Sequence, residues 1–376
     1  MSQVQRRLIT YCTNIHPGES WAETFTALAT HVPQIKAAVS PGHPFPIGLR
    51  LSARAARELA AGQAASFAGW LRDEHCFVTT INGFPFGAFH GTRVKEQAYL
   101  PDWRSRERSD YTKLLATLLA GFLPESASGS ISSVPVGFRP HLGADHHPLV
   151  RENLLEVLLH LDRLRLERGV DLVLALEPEP ACLLETASDL VEFVERMNFP
   201  QSLRNRIGIC LDCCHLALQF EEPAEVVSLL AGAGIRIGKV QVSSALRQRH
   251  DRRESLHPFQ EPCYLHQVVV RRRDGTLTRY HDLPEALQRH RGENEEEWRC
   301  HFHVPLFVER TGEFETTRFF AEKLLPLLDR RVLLEVESYS WEVLPPELRK
   351  GEVADSIIRE IRWLQERVDL ISHQPA

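Results

Sequence analysis

The sequence has no run of about 18 apolar residues, the length a membrane-crossing helix needs, and its first residues, MSQVQRRLITYCTN, lack the apolar core of a secretory signal. These absences predict a soluble, cytoplasmic protein without a membrane segment. Positive charge is not in excess: 44 Lys and Arg stand against 50 Asp and Glu, a formal net charge of -6. Nothing therefore attracts a polyanion in general, and nucleic acid is not an expected partner. A disulfide-dense pattern is missing too, because eight cysteines are scattered over 376 residues, which suits reduced thiols. Cys210 and Cys213 have CxxC spacing, but no second CxxC follows, which excludes a zinc ribbon. No internal repeat or low-complexity tract is present. What remains is an ordinary globular composition, 43% hydrophobic and 25% charged, with enough length to bury a large core.

Short apolar runs alternate with helical patterns along nearly the whole chain, the rhythm of parallel strands joined by crossover helices. Eight runs stand out, at 7–13, 46–52, 76–82, 130–138, 170–180, 206–212, 235–244 and 331–338. Helical segments follow them, among them one from Ser20 to Val39 capped by Glu19 or Ser20, one opened by Ser52, and others at 107–122, 149–168 and 352–368. Eight such units predict an α/β fold, a (β/α)8 TIM barrel over 1–376 with the last few residues frayed. One excursion breaks the period. Residues 245–315 form an insertion in the connection from strand 7 to helix 7, with a β-hairpin whose two-residue turn is Asp274-Gly275. A further strand-like piece, RCHFHVPLFVE, lies inside that insertion.

Chemistry in such a barrel sits at the C-terminal ends of the strands. Strand five closes with Glu177, strand six with Asp212, strand seven with Gln241 followed by Ser243 and Ser244, and strand eight with Glu335 and Glu337. Buried carboxylates sharing one cavity repel each other and resist desolvation, and a divalent cation removes both costs. Each residue alone has a plainer reading. Glu177 and Glu179 precede prolines and suit an exposed acidic loop, Asp212 suits a helix N-cap, and His215 suits a core or surface position. Cys213 and Cys214 read as small, buried, inert thiols. Taken together, successive strands that end alike favour a site. In HFHVP, alternation puts His301 and His303 on one side of a strand, the geometry of two ligands reaching one centre. This mixed Glu, Asp, Gln and His set favours manganese or magnesium, with zinc possible. For a substrate, the strand ends offer Asn14, His16, Arg50, Asn82 and Glu337, and the aromatic loop offers His90, Arg93 and Lys95. Arg50 or Lys95 suits an anionic group.

LALEP, GICLDCCH and LLEVE resemble the xylose-isomerase-like TIM-barrel superfamily of sugar isomerases, 3-epimerases and endonuclease IV. The resemblance implies that Glu177, Asp212 and Glu335 bind a divalent metal and that His215 contacts substrate or a second metal. That family's strand-seven histidine is Gln241 here, so the ligand role passes to Gln241 or to His303. The histidines that endonuclease IV relatives supply from strands two and three are absent, so a three-zinc cluster is not expected. TYCTNIHPGESW, INGFPFGAFHGTRVKEQAYLPDW, KVQVSSAL, HFHVPLF and LEVESYSWEVLP are similar to the EboE family of barrels linked to metabolite traffic. The implied function is a metal-dependent isomerase or epimerase of a small polyhydroxylated metabolite, a sugar, cyclitol or sugar phosphate. Glu177 and Glu335 would exchange a proton through an enediolate while His215 orients a hydroxyl. A metal-dependent phosphoester hydrolase and a non-catalytic metabolite-binding barrel are the alternatives.

Overall fold

A strand that is a short continuous apolar run must be covered on both faces, and the chain meets this by wrapping helices around a parallel sheet. The computed structural model describes residues 7–125, 127–143, 146–292 and 295–372; the expected frayed C-terminal end lies outside the described residues. In chain order the barrel strands are β1 (Ile9–Tyr11), β2 (Phe45–Arg50), β3 (Cys76–Asn82), β4 (Ser128–Ser133), β5 (Asp171–Leu176), β6 (Ile207–Asp212) and β7 (Arg236–Val242). The excursion then supplies β8 (Leu246–Arg249), β9 (Val268–Arg271), β10 (Leu277–Tyr280), β11 (Glu297–Cys300) and β12 (Glu315–Thr316), and β13 (Leu334–Val336) completes the barrel. The sheet order β1-β13-β7-β6-β5-β4-β3-β2 is that of an eight-stranded TIM barrel.

Its seam, between β1 and β2, is closed by one parallel bridge, Cys12 to Gly48. Threonine hydroxyls replace the missing ladder. Thr10 Oγ1 donates to the Pro46 carbonyl at 2.6 Å and accepts from the Gly48 amide at 3.1 Å, and Thr13 Oγ1 accepts from the Arg50 amide at 2.8 Å. No described helix is long and apolar enough to cross a membrane.

Three expected boundaries shift for local reasons. β4 stops at Ser133 and β5 at Leu176, short of 138 and 180, because Pro135, Pro178 and Pro180 have no N–H to continue a ladder. The hairpin joining β9 to β10 turns through three residues, Arg273 to Gly275, not two: Arg272 N–H bonds the Thr276 carbonyl at 2.9 Å and Gly275 takes φ +84°, the three-residue loop with glycine in the left-handed position. Only Glu297–Cys300 of the strand-like piece pairs, between β8 and β9 in the five-stranded antiparallel sheet β10-β9-β11-β8-β12; His301 to Pro305 run on as an irregular strap.

Inside the barrel an ion pair takes a place usually filled by apolar side chains. Lys239 of β7 and Glu335 of β13 are both 0% exposed and are joined directly, Nζ to Oε2. Gly48 of β2 makes room for this pair, since a Cβ there would overlap the Glu335 carboxylate. A buried pair contributes little net stability when intact, but removing one partner strands the other charge. Lys239→Met is therefore expected to cost about 3–5 kcal/mol. Lys239→Met combined with Glu335→Leu should recover most of that loss, measured as urea unfolding midpoints of the three proteins.

Candidate functional site

The site is built where β5, β6 and β13 end. Glu177 follows β5 and keeps its amide in the ladder, bonded to the Ser133 carbonyl at 3.1 Å. Asp212 is both the last residue of β6 and the N-cap of the helix Cys213–Leu218. Its Oδ1 accepts from the His215 amide at 2.9 Å and from Ser243 Oγ at 2.8 Å, while Ser243 Oγ accepts from the Cys214 amide at 2.8 Å. Glu337, just past β13, accepts from Asn14 Nδ2 at 2.7 Å through Oε1.

Asp212 and Glu337 thus each have one carboxylate oxygen engaged, and on each of the three one buried oxygen, Glu177 Oε2, Asp212 Oδ2 and Glu337 Oε2, has no hydrogen-bond partner. One oxygen from each lies within 4.8 Å of the others. Burial first, then repulsion from Asp212, pushes the Glu177 carboxyl up to about 8. Burial, Glu177 and Asp212 push Glu337 well above the ordinary carboxylate range. Burial also acts to raise Asp212, but the imidazoles of His215 and His303 and its hydrogen bonds outweigh it and hold the group low. Converging, unpaired, buried oxygens of this kind fit a hard divalent cation.

The strap from β11 brings imidazoles to the same place. Its backbone is fixed by His301 N–H on the Gln267 carbonyl at 2.8 Å and Val304 N–H on the Ser244 carbonyl at 2.9 Å. Glu360, from the closing helix Val353–Ser372, accepts from the Leu306 amide at 2.9 Å and from Ser338 Oγ at 2.7 Å, tying the strap to the end of β13. His301 Nε2 lies 3.2 Å from His215 Nε2 and 3.3 Å from His303 Nε2, and Glu179 Oε2 lies 3.1 Å from His215 Nε2. Burial lowers all three imidazoles, His303 to about 4 and His301 well below its usual value. Lowering of this kind favours the neutral ring, the form that binds metals.

Above these groups opens a narrow cleft walled by Phe84, Phe89, Tyr99, Tyr264 and Tyr339, with Asn14 and Lys95 among its polar lining. Lys95 is already paired with Asp282 at 2.6 Å.

Of the residues singled out in the sequence, the fold brings Glu177, Asp212, His215, His301, His303, Glu337, Asn14 and Lys95 together. Glu335 does not join them. It faces inward below Glu337 and is held by Lys239, so the strand-eight carboxylate at the site is Glu337. Gln241 is buried beside Cys210, accepting its S–H at 3.2 Å, and is not among the cavity-lining residues. Arg50 is consumed by Glu19 at 3.1 Å and the Gly18 carbonyl at 2.8 Å. His16 stacks on His31, Asn82 accepts from the Phe84 amide, His90 bonds the Asn14 carbonyl and Arg93 is exposed. Cys210, Cys213 and Cys214 are buried with thiols pushed well up by burial, hence inert.

Sequence reasoning passed over Glu179, Lys239 and Gln267. Glu179 had a signal, because it stands two residues after Glu177 just as Glu337 stands two after Glu335. Lys239 had the same relation to Gln241. Gln267 had none.

No family model matches the chain, and no curated protein matches it. Solved structures do. A xylose isomerase-like TIM barrel protein from Mycobacterium smegmatis in complex with magnesium is 11% identical with a TM-score of 0.55, covering 99% of both chains. The IolI protein with a zinc atom is 13% identical, TM-score 0.51, over 98% of this chain and 100% of that one. A D-allulose 3-epimerase from Methylomonas sp. in complex with D-allulose is 13% identical, TM-score 0.52, over 96% and 98%. The likeness establishes the fold, a TIM barrel.

The raised Glu177 carboxyl makes a pH prediction. Without a cation, the native state holds this proton up to about pH 8, whereas the unfolded chain releases it near 4.5. Through that window the native state binds more protons, so stability falls as pH rises. A saturating divalent cation replaces the proton and should flatten the fall. Thermal unfolding in chelator and in manganese across the window checks this, and Glu177→Gln should make the chelator profile less steep, the remaining slope coming from Glu179 and Glu337.

Proposed function

We propose that the chain is a metal-dependent isomerase or epimerase of a small polyhydroxylated carbonyl compound, a sugar, cyclitol or sugar phosphate. The observation that carries this reading is the trio of unpaired carboxylate oxygens on Glu177, Asp212 and Glu337, two of whose side chains, Glu177 and Glu337, line an aromatic-walled cleft. The D-allulose 3-epimerase with its sugar, and the magnesium and zinc in the other two structures, support it by analogy of fold. The EboE-like loop motifs agree with a small-metabolite substrate.

Glu177, Asp212 and Glu337 would hold manganese or magnesium, with His303, whose Nδ1 lies 3.9 Å from Glu337 Oε2, beside them. Bound there, the cation supplies Lewis acidity to a carbonyl and its neighbouring hydroxyl. Glu177 and Glu337 are the acid and base: one takes the proton from the carbon next to the carbonyl, the other returns it to the enediolate. Asn14 positions Glu337 through its amide nitrogen, and its unpartnered Oδ1 is free to accept a substrate hydroxyl. The aromatic walls exclude water and cover the apolar face of a sugar ring.

The test is solvent exchange. The manganese-loaded protein in heavy water, given a panel of ketoses, should place deuterium on the carbon beside the carbonyl, read by mass spectrometry. Glu177→Gln and Glu337→Gln should each slow this by about 10²–10⁴-fold. Glu335→Gln should leave the metal content unchanged, because that side chain is engaged by Lys239. Tight ligand binding with no exchange on any member of the panel would replace this reading with a non-catalytic binding barrel.

A further inference from the structure

Three tyrosines wall the cleft, and their hydroxyls meet different fates. Tyr99 Oη donates to Glu179 Oε1 at 3.2 Å and accepts from Gln267 Nε2 at 3.0 Å. Tyr264 Oη donates to the Phe89 carbonyl at 3.0 Å. Among the described residues, nothing hydrogen-bonds the Tyr339 hydroxyl. A tyrosine this far buried, 9% exposed, ordinarily finds a partner for its O–H. Tyr339 Oη is not among the sealed, unpartnered polar atoms of the interior either, so it opens on the cleft that the residue lines.

The packing of the ring does not call for that hydroxyl. Its centroid lies 5.1 Å from Phe89, 5.2 Å from Tyr264 and 4.7 Å from His303, contacts that a phenylalanine would make equally well. The backbone on both sides is tied down. Tyr339 opens the short 3-10 turn Tyr339–Val343, with Ser338 Oγ before it donating to Glu360 Oε2 at 2.7 Å and Ser340 Oγ after it donating to the His303 carbonyl. A packed ring with an unengaged polar tip is preorganised to meet a ligand, because its side-chain ordering is already complete in the folded protein. A phenol ordinarily ionises only at about pH 10, so near neutrality the hydroxyl keeps its proton and can donate.

We infer that Tyr339 is a specificity-determining residue whose hydroxyl donates to a substrate hydroxyl other than the carbonyl and hydroxyl that the cation engages. This rests on the reading of a polyhydroxylated substrate given above. Tyr339 stands two residues past Glu337 and lines the same cleft as Glu337 and Glu177, so a molecule that reaches those carboxylates comes within reach of this oxygen. Asn14 Oδ1 offers the cleft an acceptor and Tyr339 Oη a donor. A substrate hydroxyl can answer either, and a methylene in its place can answer neither. Tyr339 thereby separates a hydroxylated compound from its deoxy counterpart at one position.

The test uses the manganese-loaded full chain with D-allulose, D-fructose, D-tagatose and D-sorbose, and the monodeoxy analogues of whichever of these the wild type binds most tightly, with dissociation constants from calorimetry. Tyr339→Phe should bind the parent sugar about 3–10-fold more weakly, the contribution of one neutral hydrogen bond, while metal content and thermal unfolding midpoint stay those of the wild type. One monodeoxy analogue should lose a similar factor on the wild type and nothing further on Tyr339→Phe, which identifies the hydroxyl that Tyr339 meets. Unchanged binding by Tyr339→Phe, equal losses on wild type and variant for every analogue, or a clearly lowered midpoint, which would reveal a partner within the protein, overturns the inference. Binding is read without turnover. A wild type that binds without deuterium exchange removes the isomerase reading while the deoxy comparison still decides on Tyr339; exchange with no effect of Tyr339→Phe on binding does the reverse. No binding of any of the four sugars overturns both.

Discussion

Five carboxylates, Glu177, Glu179, Asp212, Glu335 and Glu337, are buried at one end of the barrel, each at most 5% exposed. Charge brought together out of water must be neutralised by protons, by a fixed cation or by a bound one. The protein divides the task. Lys239 neutralises Glu335 inside the barrel, with Gly48 giving up its side chain so that the pair fits. Asp212 is stabilised by a helix amide, a serine hydroxyl and nearby imidazoles. Glu179 and Glu337 accept one hydrogen bond each, from Tyr99 and Asn14, which is not enough: with Glu177 they are driven towards the protonated form by burial and by the neighbouring carboxylates.

The rest of the architecture follows from placing these groups. The barrel sets their backbone positions, and the insertion brings the imidazoles. The strap carrying His301 and His303 is held at both ends of its reach, by Gln267 and Ser244 on one side and by Glu360 on the other. Because Glu360 also holds Ser338, one buried carboxylate couples the strap to the strand end that presents Glu337. The aromatic cluster of Phe89, Tyr264 and Tyr339 then joins the loop after β3, the insertion and the chain after β13 over the cavity. Three separate pieces of sequence thus form one wall.

Much of the candidate site was legible because strand periodicity and barrel chemistry are both local rules. Glu177, Asp212 and His215 were found where apolar runs stop, and His301 and His303 by alternation, although the chain there is a strap and not a strand. Asp212 had two competing readings, N-cap and ligand, and the structure gives it the first with one oxygen while the second oxygen remains unpaired. Arg50 and His90 lie outside the cleft lining for a common reason: they are spent on hydrogen bonds with residues far off in sequence, the Gly18 and Asn14 carbonyls, which no local pattern reports.

The sequence by itself determined the barrel, since alternating apolar runs and helices of these lengths bury their faces in few other ways, and it determined which strand ends carry polar groups. It could not choose between Glu335 and Glu337. Alternation puts both on the same face but says nothing of depth, and depth is set by the stagger of neighbouring strands, which places Lys239 against one and not the other. It singled out His215, His301 and His303 but not their meeting, because His215 from the helix after β6 and His301 from the insertion come together only once the excursion folds back over the strand ends. Those are contacts across 86 residues, fixed by tertiary packing and by the need to satisfy buried nitrogens, not by any local propensity.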